Sequence, residues 1–187
     1  MEKRRAGPIM MLLLSMAGLS SDKVMAAAVQ FTAMYAFGDS LTDSGNNNYL
    51  NSLAKANYVP YGVDFYQGPS GRFCNGRTII DYLGDLLELP LLPAYSNPFA
   101  SSRDILKGVN YASAAAGILE ETGQTLGERF SFSQQVQNFE STLSELRKQM
   151  HDQELNQHLT KALAVLILGS NDYINNYLLS SLYTTSY

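Results

Sequence analysis

Six consecutive apolar residues, Leu163-Ala164-Val165-Leu166-Ile167-Leu168, constrain the fold more than any other stretch. The run has strand length, shows no polar alternation and stops at Gly169, the pattern of a strand buried on both faces in a parallel sheet. Two shorter runs repeat the design: Ala33-Met34-Tyr35-Ala36-Phe37, bounded by Gly38, and Gly108-Val109-Asn110-Tyr111-Ala112. Each passes directly into a polar or small-residue turn, at Ser40, at Gly117 and at Asn171. Helical periodicity fills the gaps. Ile79, Ile80, Leu83, Leu86 and Leu87 predict a helix over residues 78–89, ended by Pro90. Val136, Phe139, Leu143, Leu146 and Met150 form one apolar stripe of a long helix over 133–150. Asp152 is placed to cap a further helix carrying Leu155, Leu159 and Ala162. Strands that alternate with helices favour a parallel α/β sheet, and parallel strands bring all three turns to one edge.

That edge is where open α/β sheets place their chemistry. Ser40 lies in the turn after the first strand, within Phe37-Gly38-Asp39-Ser40-Leu41-Thr42-Asp43-Ser44-Gly45-Asn46-Asn47-Asn48-Tyr49-Leu50. With a helix expected to follow, its backbone N–H is free to face an anion. Ser40 is therefore read as a nucleophile whose own N–H helps hold the oxyanion. The stretch is not the nucleophile elbow of α/β-hydrolases, which needs Gly two residues after the serine, where this chain has Thr42. A plain helix cap at Ser40 is the competing reading, and the Asp-Ser-Gly and three asparagines that follow favour function. Attack on an ester needs donors already aimed at the forming oxyanion. The candidates are the N–H of Ser40, the N–H of Gly117 and the side-chain amide of Asn171. Tight packing would also account for Gly117 after Ala114, Ala115 and Ala116, and a turn would also account for Asn171.

A serine also needs a base. His151 and His158 are the two histidines, both expected as solvated helix positions at the opposite end of the sheet. Asp39, Asp43 and Asp172 lie near the site, but a carboxylate is a poor base for a serine hydroxyl near neutral pH. No metal-ligand cluster is visible, and no cofactor is implied, because acyl transfer by serine needs none.

At 187 residues, 45% hydrophobic and 16% charged, the chain is one domain or part of one. Lys3, Arg4 and Arg5, a mostly apolar run at 9–19 and Ala26-Ala27-Ala28 read as a secretory signal peptide over residues 1–28, too short to span a bilayer. Its removal takes four basic and two acidic residues from totals of 13 and 17, leaving a net charge of −6. The expectation is an extracellular protein with no stable membrane anchor. There is no basic cluster beyond the N-terminus, which argues against nucleic acid as a partner. Cys74 is the only cysteine, either buried as a small hydrophobe or paired outside the chain.

The blocks at 37–50, 71–87, 110–123 and 168–178 resemble, in order, those of the plant GDSL esterase/lipase family of the SGNH hydrolase superfamily. The resemblance implies a three-layer α/β/α fold with a parallel, flavodoxin-like sheet. It matches Ser40 to the nucleophile, and Gly117 and Asn171 to the other oxyanion-hole positions. It implies hydrolysis of small-molecule or lipid esters. Family members carry their catalytic Asp and His in a later Asp-x-x-His block, absent from these 187 residues. Residues 29–187 are thus expected to form the N-terminal portion of the hydrolase domain, ending after about the third strand. That portion is expected to fold poorly alone, with its third strand at an edge, and to have little activity without a base. The alternative is a non-catalytic remnant that binds an acyl or cell-wall ligand. A flavodoxin-like nucleotide binder fits the sheet but lacks a glycine-rich phosphate loop.

Overall fold

The computed structural model of the chain describes residues 31–101 and 103–178; the segment read as a signal peptide lies outside them. Three strands, β1 (Ala33–Gly38), β2 (Gly108–Asn110) and β3 (Ala162–Ile167), form a parallel sheet in the order β2-β1-β3. Ala33 through Gly38 pair with Ala162 through Ile167, and Met34 through Ala36 pair with Gly108 through Asn110. Outside β2, Ala94 adds an isolated parallel bridge to Asn110. Among the described residues three α-helices accompany the sheet: α1 (Ile79–Leu86), α2 (Phe132–Arg147) and α3 (Asp152–Thr160).

Alternation along β1 creates the layers. Met34 and Ala36 face one side, where they meet Ile80, Leu87, Leu89 and Leu92, with Leu83 of α1 packed against them. Ala33 and Tyr35 face the other, packing with Val109 and Tyr111 against Phe139 of α2 and Leu159 of α3. Helices therefore cover both faces, as a three-layer α/β/α fold requires.

Four local expectations change. β2 ends at Asn110 rather than Ala112, because the Asn110 carboxamide takes the N–H of Ala112 at 3.0 Å and turns the chain away. β3 starts one residue earlier than its apolar run and is not buried on both faces: Leu163, Val165 and Ile167 pack inward, whereas Leu166 is 49% exposed. Helix α1 stops before Pro90. Glu88 adopts a left-handed φ of 56°, its N–H bonds Asp85 O, and the N–H of Leu89 reaches back to Gly84 O at 2.8 Å. These are the bonds of a Schellman cap, with buried Leu89 as its apolar anchor. His151, not Asp152, is the N-cap of α3, and Ala162 belongs to β3.

The stripe assigned to α2 holds in part: Phe139 and Leu146 pack inward, with Leu143 and Met150 half-buried. The buried residues of α2 are Gln135, Asn138, Thr142 and Leu146, spaced 3, 4 and 4 apart, whereas Val136 is 39% exposed. Three of the four are polar, so the apolar pattern shows only the part of the inward face that carries Phe139 and Leu146.

Candidate active site

No α-helix follows Ser40. The chain makes a tight turn in which Asp39 O accepts from the N–H of Thr42 at 3.1 Å and of Asp43 at 3.0 Å, and Asp39 Oδ1 accepts from Leu41 N–H at 3.0 Å. A 3-10 turn, Asn46–Tyr49, comes next. Ser40 itself is half-buried. Its orientation is therefore set by the Asp39 turn rather than by a helix N-terminus.

Polar side chains bind the three turns together. From the first turn to the third, Ser170 Oγ donates to Asp39 Oδ2 at 2.7 Å, and Asp39 N–H donates to Ile167 O. From the first to the second, Asp43 Oδ2 accepts from Ala114 N–H at 3.1 Å. Asn47 Oδ1 accepts from Ser113 Oγ at 2.6 Å, and Asn46 Nδ2 donates to Asn110 O and Ala112 O. From the third to the second, Asn171 Nδ2 donates to Ala116 O at 2.9 Å. That bond uses one amide hydrogen of Asn171 and leaves the other. The chain thus brings Ser40, Gly117 and Asn171 to one edge, as the strand pattern implies.

Asp172, set aside at the sequence level as a poor base, acts here as a clamp. Its carboxylate accepts from Ile118 N–H at 2.8 Å, Leu119 N–H at 3.0 Å and Thr122 Oγ1 at 2.8 Å. Partial burial raises its pKa, but the bonds from Leu119, Ile118 and Thr122 outweigh that and hold it below the usual carboxylate range. A Cβ at Gly117 would collide with the Thr122 side chain and with Asp172 Oδ2, so tight packing fixes glycine there. Ala115, two residues earlier, has a left-handed φ of 71°, a costly conformation for alanine. Among the described residues nothing accepts from the N–H of Ser40 or of Gly117.

Asp43 is fully buried. Burial pushes its carboxyl up to about 6, against the opposing pull of backbone N–H groups of Gly45, Asn46, Ala114 and Asn47. His151 is exposed at the start of α3. His158 is not the solvated residue expected: it is half-buried, with Nε2 3.2 Å from Tyr35 OH on the α2/α3 face of the sheet. Burial, with Lys107 nearby, lowers its pKa. Cys74 is also half-buried, its Sγ donating to Gly76 O at 3.3 Å. A polar cleft of about 480 Å³ lies beside the far end of the Ser40 turn, between Tyr49, Tyr66, Arg72 and Asn97. Ser40, Gly117 and Asn171 do not line it. No helix among the described residues is long and apolar enough to cross a membrane.

Fold and site define an α/β protein with a serine turn at the carboxyl edge of a parallel sheet, where backbone N–H groups find no acceptor among the described residues. The pattern of the GDSL-like lipase/acylhydrolase family matches residues 34–186, and the chain belongs to that family. It is 57% identical over 157 residues to a GDSL esterase/lipase of Arabidopsis thaliana, covering 83% of this chain and 41% of that protein. A second from the same plant is 50% identical over 168 residues, covering 90% and 45%. GDSL esterase/lipase 7, also from Arabidopsis thaliana, is 54% identical over 157 residues, covering 82% and 43%. The chain thus spans less than half the length of these relatives. No solved structure matches it significantly.

Proposed function

We propose that this chain supplies the nucleophile and oxyanion hole of a secreted serine hydrolase acting on carboxylic esters, acyl or lipid. Ser40 Oγ attacks the ester carbonyl and passes its proton to a base. The N–H groups of Ser40 and Gly117 and the second amide hydrogen of Asn171 take the oxyanion. Its collapse expels the alcohol, which takes up a proton, and leaves the acyl group on Ser40. Water then releases the acid. The base comes from outside residues 1–187. His158 is engaged with Tyr35 on a face of the sheet and His151 stands at the start of α3. The leader at 1–28 directs the protein out of the cell.

The observation that carries this reading is the set of bonds joining the three turns, with the N–H groups of Ser40 and Gly117 unaccepted among the described residues. The test is hydrolysis of a short-chain nitrophenyl ester by the intact protein, including any residues beyond Tyr187. Ser40→Ala is expected to lower kcat by at least about a thousandfold, and Gly117→Ala to displace the loop and lower it as well. Full activity in Ser40→Ala would refute the reading.

A further inference from the structure

Gln135 on α2 has no exposed surface, and a buried carboxamide is unfavourable unless its polar atoms are bonded. Two of its three side-chain bonds go to Gly38, two residues before the serine, and the third goes to Phe130 ahead of its own helix. Oε1 accepts from Gly38 N–H at 2.9 Å. Nε2 donates to Gly38 O at 2.9 Å and to Phe130 O at 3.1 Å.

The β1–β2 ladder shows what this side chain replaces. Met34 N–H donates to Lys107 O, Tyr111 N–H to Ala36 O and Ser113 N–H to Gly38 O. A parallel ladder repeats every two residues, so Gly38 N–H would next require the carbonyl of Tyr111. The chain turns there, through the bond from Ala112 N–H to Asn110 Oδ1, so the Tyr111 carbonyl is not offered to Gly38 although Ser113 N–H still reaches the Gly38 carbonyl. Gly38 instead finds its acceptor on Gln135. On the other side of the strand, Asp39 N–H donates to Ile167 O at 3.3 Å.

We infer that Gln135 is a positioning residue for Ser40: it stands in for the missing strand carbonyl at Gly38 N–H, joins Ser113 N–H on the Gly38 carbonyl, and so fixes the direction in which the Asp39-Ser40 turn leaves the sheet. The inference rests on Ser40 being the nucleophile. Only Asp39 separates the two residues, so a rotation at Gly38 swings the Ser40 hydroxyl and its N–H together. A misplacement of about 1 Å at reacting atoms costs on the order of a hundredfold in rate.

The test uses the intact protein, including any residues beyond Tyr187. Gln135→Met keeps the volume and removes the bonds. Gln135→Glu keeps the shape and the acceptor, and regains a donor only when its carboxyl is protonated. Gln135→Met is expected to lower kcat by about a hundredfold with KM within about twofold. Gln135→Glu is expected to recover activity relative to wild type as pH falls from about 8 to about 5, because a buried carboxyl holds its proton to higher pH than usual. A change in Tm with kcat per folded molecule unchanged, or no pH-dependent recovery, would overturn the inference. Loss of folding in both variants would overturn it too, because it would assign Gln135 to stability alone. Ser40→Ala separates the two layers. If it stays active, the nucleophile reading and this inference both fall; if it is inactive while Gln135→Met keeps its kcat, only the inference falls.

Discussion

Arg72→Met is expected to destabilise the chain by about 3–5 kcal/mol, chiefly by stranding a carboxylate. The side chains of Arg72 and Asp81 are only 5% and 2% exposed. Nε and Nη2 of Arg72 meet the two oxygens of Asp81 at 2.7 and 2.9 Å, a bidentate pair. Asp81 cannot swing to water, because it also accepts from Thr78 N–H at 2.8 Å and Thr78 Oγ1 at 3.1 Å in the capping box that starts α1. Arg72 Nη1 reaches Ser70 Oγ at 3.1 Å and Ser44 O at 3.4 Å, and the guanidinium lies 4.6 Å from the Phe65 ring centroid. Methionine retains some of the packing but none of the charge. The double variant Arg72→Met/Asp81→Asn removes both charges while leaving an acceptor for Thr78, and is expected to regain at least about half of the loss. Urea unfolding of the intact protein, including any residues beyond Tyr187, as wild type, both single variants and the double variant measures the cycle. A loss below about 1 kcal/mol for Arg72→Met, or a double variant as unstable as the sum of the singles, would refute the reasoning.

Asp43 predicts a pH dependence of the opposite sign to that of a salt-bridged carboxylate. Its folded pKa, about 6, lies above the ordinary 3.8, so its contribution is fully present below about 4 and is lost as pH rises to about 6, by about 3 kcal/mol. Urea midpoints from pH 4 to pH 7 should show this component in wild type and lack it in Asp43→Asn; matching profiles would disprove it. Asp172→Ala removes the acceptor of Ile118 and Leu119 N–H, so exchange of those two amides should quicken about ten- to a hundredfold while protection in β1 stays unchanged. Unaltered exchange at Ile118 and Leu119 would show that the loop is held by other contacts.

The sheet was legible because its strands announce themselves by hydrophobic burial, a signal that periodicity reads directly. The runs at β1, β2 and β3, the parallel arrangement and the shared edge all follow from apolar segments separated by helical ones. Helix faces and ends were less legible where burial is polar or backbone geometry decides. Val136 fits the apolar stripe, yet Gln135 occupies the interior because Gly38 needs a partner there. Pro90 looks like the stop signal, yet α1 has already ended through the left-handed turn at Glu88. His158 sits in a polar helical segment, and nothing in its neighbours signals Tyr35, which lies 123 residues away in sequence.

The same limit explains why the serine motif is long. At the carboxyl edge of a parallel sheet the strands diverge, and backbone groups that a ladder would have paired lose their partners. Leaving them buried and unpaired costs about 1–3 kcal/mol each. In this chain side chains take up that role: Asp39 and Asp43 accept within their own turn, Asn46 and Asn47 reach the turn after β2, and the Asn110 amide donates to Thr42 O at 2.6 Å. Asp39, Asp43, Asn46 and Asn47 are at most 1% exposed, so their first task is to build the edge rather than to meet substrate. A sequence reading takes such acids and amides as candidate chemistry because these residue types in that pattern also perform it. With the scaffold bonds made, nothing among the described residues accepts from the N–H groups of Ser40 and Gly117, and the bond to Ala116 O uses only one amide hydrogen of Asn171. Substitutions among the scaffold residues should therefore act first on folding and, under the proposed mechanism, reach turnover only through the placement of Ser40, Gly117 and Asn171.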